Sequence, residues 1–147
     1  MDLAFRVVAA VAPRLAGDQG RDVVAAHRAG NFVDAQRSYE RVLGIDRSHV
    51  DALNNLGVLF SETREFTRAE TMLRRAVAID PANAGAWNNL GAALIHSDQP
   101  ARAMPPLEEG LRLVDEAGFV VQRSYFLANL AQASMEPEAF VLDALDA

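Results

Sequence analysis

The sequence contains neither cysteine nor lysine, and no apolar run approaches the ~20 residues needed to cross a membrane. Without cysteine there are no disulfides, no thiol catalysis and no cysteine-bound metal, although the compartment stays open. All 14 basic residues are arginine and alanine is abundant, which fits GC-rich bacterial coding better than a chemical need. Catalytic motifs are missing as well: there is no phosphate loop, no Gly-x-Ser-x-Gly elbow and no His-Glu-x-x-His helix. The three histidines, His27, His49 and His96, are scattered, whereas a metal needs three or four ligands converging within about 2.0–2.3 Å. Solvated or capping roles are expected of them, and no metal, cofactor or enzymatic activity is expected of the chain.

What is present fits about one domain: 147 residues, half of them hydrophobic, long enough to bury roughly two-thirds of the extended-chain surface. The net charge of −6 argues against a nucleic-acid partner or insertion into an anionic membrane. Charge is unevenly spread, because residues 108–147 hold eight acids against only Arg112 and Arg123. The first stretch, MDLAFRVVAAVAPRLA, is a poor secretion signal: Asp2 spoils the basic start, and Arg6 and Pro13 interrupt the apolar core. A capping helix over residues 1–15 and a cytoplasmic location are expected instead.

The sequence matches itself at a spacing of 34. Ala35, Ala69 and Ala103 align, as do Tyr39, Leu73 and Leu107, then Ile45, Ile79 and Leu113, then Phe32, Phe66 and Pro100. A fixed period of this length marks a solenoid of stacked units. Each unit reads as two helices, the first with Leu53, Leu56 and Phe60 on one face, the second with Phe66, Ala69, Leu73 and Ala76 at helical spacing. Gly57, Gly91 and the three alanines remove bulk where helices cross. Asp80-Pro81 ends a second helix, since proline disfavours helical geometry in the residue before it. Trp87 shares a face with Leu90 and Leu94 and is expected in the core.

Residues 50–83, with Leu53, Leu56-Gly57, Phe60, Phe66, Ala69, Leu73, Ala76 and Pro81, resemble the tetratricopeptide repeat closely; residues 84–117 follow, with Trp87, Leu90-Gly91, Leu94, Ala103 and Leu107. The resemblance implies an all-α, right-handed superhelical solenoid of antiparallel helix hairpins, about three and a half repeats with terminal capping helices. Its expected limits are residues 16–134, with repeats at 16–49, 50–83 and 84–117 and a partial one at 124–134. The register slips by six after Ala117, so that LANLAQA at 127–133 reads as a fourth first helix. Pro105-Pro106 inside a second helix predicts a late start or a kink. Residues 135–147 form an acidic segment in which Phe140, Val141, Leu142 and Leu145 are expected to cap the last hairpin.

The doubled asparagine of DALNNLGVLF returns in GAWNNLGAAL, although asparagine is a mediocre helix former. In this family the first helices line the concave side, which places Asn54, Asn55, Val58 and Glu62, then Asn88, Asn89, Ala92 and His96, then Asn129 and Gln132, along the groove. A carboxamide both donates and accepts, matching a peptide bond. The row resembles the asparagine ladder in the repeats of the O-linked N-acetylglucosamine transferases, carried here to Asn55, Asn89 and Asn129. A non-catalytic module binding a protein or peptide segment in the groove is therefore expected. The alternatives are a homo-oligomeric scaffold, or the amino-terminal targeting part of a larger bacterial glycosyltransferase or methyltransferase. Alanine at the three rungs is expected to spare the fold while weakening binding. The family's carboxylate clamp is not expected, since the chain has no lysine and Gly85 and Asn89 occupy clamp sites.

Overall fold

The computed structural model describes residue 27 and residues 29–145, with side chains described as far as residue 135. Six helices follow one another among them: α1 (Phe32–Ile45), α2 (Val50–Glu62), α3 (Phe66–Ile79), α4 (Ala84–His96), α5 (Pro100–Ala117) and α6 (Val120–Leu145). The pairs α2/α3 and α4/α5 are antiparallel hairpins, α1 is the second helix of the preceding unit, and α6 is a first helix following α5. Contacts run within hairpins, from each second helix to the next unit, and between the first helices α2, α4 and α6. This is the all-α solenoid the 34-residue period predicts.

The same period sets the joints. Within each unit the turn between helices passes through one left-handed residue, at Gly30 (φ 79°), Arg64 (φ 63°) and Asp98 (φ 58°). Between units, Asp46 leaves α1 in extended conformation, and Asp80 ends α3 at φ −127° and ψ 83°. Three residues on, His49 and Asn83 cap α2 and α4 by accepting the amide protons of Ala52 at 3.2 Å and Ala86 at 3.1 Å. Each cap satisfies an amide left without a partner at a helix start.

Close helix crossings depend on missing side chains. A Cβ at Gly57 would stand 2.5 Å from Cγ of Leu73, and one at Gly91 or Gly110 closer still to Leu107 or Phe126. Ala35, Ala69 and Ala103 are buried in the same core as Leu53, Leu90 and Leu107. Trp87 is only partly buried, a correction to its expected core position: its ring packs on the core while Nε1 donates to the Pro81 carbonyl at 2.9 Å, tying the inter-unit turn to α4.

Pro105 and Pro106 lie inside α5, which nevertheless starts at Pro100. The late start predicted for this helix is absent. The carbonyls these prolines leave without a helical donor belong to Ala101 and Arg102, both exposed residues. The six-residue slip also has a structural form: α5 is four residues longer than α1 and α3, the connection to α6 is two shorter, and α6 starts four residues ahead of the position matching Ala84. About one helical turn is thus added on each side of the connection. Helix α6 runs unbroken through residues 134 and 135, where a separate capping segment was expected to begin. The side chains of Phe140, Val141, Leu142 and Leu145 lie outside the described residues, as do the expected cap at 1–15 and most of the first helix of the unit at 16–49.

Candidate interaction face

The first helices carry the doubled asparagines, and all five amides are solvent-excluded: Asn54, Asn55, Asn88, Asn89 and Asn129 are at most 5% exposed. Two pairs bond across neighbouring helices. Asn89 donates from Nδ2 to Oδ1 of Asn54 at 2.9 Å, and Asn129 donates to Asn88 at 2.8 Å. The second asparagine of one unit therefore reaches the first asparagine of the unit before it. Such a bond within a low-dielectric interior contributes about 0.5–1.5 kcal/mol net, and losing one partner costs more than that, because the other is left dry.

Four amide atoms are left over. Nδ2 of Asn54, both polar atoms of Asn55 and Oδ1 of Asn89 are buried without a hydrogen-bond partner among the described residues. The other groove positions divide. Val58 and Ala92 are buried, Glu62 is nearly so, and His96 and Gln132 are exposed. The structure thus gathers the asparagines into one buried row across α2, α4 and α6, while His96 and Gln132 on α4 and α6 are exposed.

Glu62 has a partner that the scattered histidines did not suggest. His27 is buried, and its Nε2 lies 2.5 Å from Oε2 of Glu62. The imidazole also meets Phe32 and Tyr39 edge-on, with ring centroids 5.7 and 6.2 Å apart. A solvated or capping role was expected of His27, and burial among these rings corrects that. Burial, and after it the charge of Glu62, pushes the Tyr39 hydroxyl well above its ordinary pKa, so it stays neutral. His49 caps α2 as expected, and His96 is exposed. The signal for the His27–Glu62 contact is its 35-residue step, the same as that of Asn54 and Asn89.

No described helix is long and apolar enough to cross a membrane, and no three described acidic or histidine side chains converge on a metal site. Family models described as tetratricopeptide repeat match residues 23–84 and 72–104, together more than half of the chain. No curated protein matches the sequence. Among solved structures, a mutant O-GlcNAc transferase of Thermobaculum terrenum is 32% identical with a TM-score of 0.60, over 77% of this chain and 20% of that one. The chain thus spans a fifth of that transferase chain. The yeast Sti1 TPR2B domain, solved in a pHsp70 complex, is 14% identical with a TM-score of 0.76 over 81% of this chain and 95% of that one. A MamA double mutant from RS-1 is 17% identical with a TM-score of 0.57, over 92% and 84%. The last two share the fold. With the repeat period, the glycine-dependent crossings and the family match in agreement, the chain belongs to the tetratricopeptide repeat family and is a protein-interaction module.

Proposed function

We propose that this module, without catalytic activity of its own, holds an extended peptide segment along its first-helix face in a bacterial cytoplasm. The observation that carries the reading is the set of four buried amide atoms on Asn54, Asn55 and Asn89 that have no partner among the described residues. Each such atom costs about 1–3 kcal/mol. Together they offer two donors and two acceptors, the complement of a peptide backbone. The ladder then has two duties: Asn88 and Asn129 clasp neighbouring repeats, whereas Asn55, flanked by Asn54 and Asn89, meets the ligand. Val58, Glu62, Ala92, His96 and Gln132 complete the proposed groove. Because Asn55 and Val58 are solvent-excluded, the segment enters only after this face opens. A peptide selected from a random display library and titrated into wild-type and Asn55→Ala protein tests the reading. A loss of affinity of about tenfold, one to two hydrogen bonds, is expected at unchanged helicity. Equal affinity would contradict it.

A second reading rests on the 32% identity to the transferase repeats. In it, the chain is the recognition arm of a larger glycosyltransferase. Excess free chain would then compete for protein substrates and lower their glycosylation in an extract of the source cells. Undiminished glycosylation would count against it.

A further inference from the structure

On the second-helix side, away from the asparagine row, α1, α2 and α3 enclose a cleft of about 530 Å³. Its floor is apolar, with Leu43, Phe60 and Met72, and its rim carries Arg47, Arg68 and Arg75 against the single carboxylate of Glu40. Arg68 lies 4.0 Å over the Phe60 ring and is paired with Glu65 at 2.7 Å and Glu40 at 3.8 Å. The other two arginines are not neutralised. Arg75 donates to the backbone carbonyl of Arg47 at 3.0 Å, and neither guanidinium has a carboxylate partner among the described residues. In a chain of net charge −6, this is a local concentration of positive charge beside an apolar hollow.

The complement lies in the same sequence. Residues 136–147, EPEAFVLDALDA, carry four acids, four large apolar residues and no base. Their backbone is helical as far as Leu145, because α6 does not turn at the position matching His96, where α4 ends, but continues for nine more residues. That extension is about 14 Å long. The spacing also agrees. Arg68 and Arg75 are seven residues apart on α3, about 10.5 Å along its axis, and Glu136 and Asp143 are seven apart with Phe140 between them on the same helical face.

We propose that the cleft receives residues 136–147 of a second copy of this chain, with Phe140 in the hollow, Glu136 at Arg68, and Asp143 at Arg75 and Arg47. Cleft and tail are different surfaces, so the contact is head-to-tail and passes from copy to copy, closing into a ring only where the rotation between copies allows it. It is independent of the asparagine row.

The test is fluorescence anisotropy of a labelled peptide, residues 135–147, titrated with the intact chain. Saturable binding is expected, weakened at least tenfold by Arg47→Glu with Arg75→Glu in the chain, by Glu136→Gln with Asp143→Asn in the peptide, and by added salt. The two arginines are exposed, so these variants fold, and circular dichroism checks that they do. Asn55→Ala protein binds this peptide as wild type does, which separates a failure here from a failure of the groove reading. In sedimentation velocity, chains with Arg47→Glu and Arg75→Glu, and chains with Asp143→Arg, should each associate less than wild type and regain association when mixed. Absent saturation, indifference to the arginine replacements, or tighter capture of an unrelated polyglutamate peptide than of the chain's own tail would overturn the proposal.

Discussion

Asn89 donates its side-chain amide to Asn54, 35 residues earlier on the neighbouring first helix, at 2.9 Å. Asn129 repeats the contact on Asn88 across the six-residue slip. A doubled asparagine serves such a chain of contacts: in Asn88-Asn89 one residue reaches back and the other receives from the following unit, whereas in Asn54-Asn55 only Asn54 is engaged among the described residues. In α6 the receiving position is Ala128, which ends the series.

Replacing the asparagines separately should therefore divide them. Asn89→Ala strands Oδ1 of Asn54 in the interior and should destabilise the protein by about 1–3 kcal/mol. Asn55→Ala removes two atoms that have no partner among the described residues, and relief of their burial penalty, offset in part by the cavity left behind, should raise stability by about 1–3 kcal/mol. Urea unfolding of the two variants checks this. The structure thereby changes the expectation that alanine at all three rungs spares the fold.

The glycines at helix crossings give a sharper case. Gly91→Ala gains about 1 kcal/mol of helix propensity but drives a Cβ into the buried Leu107. Overpacking costs about 1–3 kcal/mol, so a net loss of about 1 kcal/mol is expected. Combining it with Leu107→Ala should give less than the sum of the two losses, since the shortened side chain vacates the clash. Additive losses would mean that the two sites do not share the crossing.

These contacts mark the limit of what the sequence displays. Ala35, Ala69 and Ala103, with Gly57 and Gly91, were legible because a period of 34 and a missing side chain together imply a crossing. Which way Asn88 and Asn89 turn was not legible: successive helical residues are about 100° apart, and which of them meets the neighbour depends on the stagger between repeats. That stagger is visible only as the 35-residue step shared by Asn54 with Asn89 and His27 with Glu62. A single repeat does not encode it, so the sequence alone places in the groove asparagines that the structure buries. The 34-residue period does not mark Gly110 for a related reason, since its crossing with Phe126 falls where the register slips.

The turn residues predict a stabilising change. Arg64 holds the left-handed conformation that Gly30 holds at the equivalent turn, at a cost of about 1–2 kcal/mol for a residue with a Cβ. Arg64→Gly forfeits a cation–ring contact with Phe66 at 5.2 Å and some unfolded-state entropy, and should still gain about 0.5 kcal/mol. Thermal unfolding measures the gain.

The acid limb of stability should contain a signature of Glu70. Burial acts to raise its pKa, but hydrogen bonds and charge from Arg74 and Arg102 outweigh burial and hold the carboxyl below the ordinary range. The Arg102 contact joins successive second helices, α3 and α5. A depressed folded-state pKa stabilises above the unfolded value and is lost as pH falls through the folded one. Glu70→Gln should accordingly lower the urea midpoint at pH 7, and the gap to wild type should close on acidification through and below the ordinary carboxylate range. A gap that persists at the acid end would mean that the side chain acts through packing.

The most direct test of the central claim is the side-chain amide signal of Asn55 in a 15N correlation spectrum, recorded while a peptide selected from a random library is added to the intact chain. Binding along the asparagine row moves the Asn55 and Asn54 NH2 resonances as hydrogen bonds form to the peptide backbone, while the arginine Nε signals of Arg47 and Arg75 stay in place. Saturable binding that leaves both asparagine amides unmoved would contradict the account and reduce the row to a clasp between repeats.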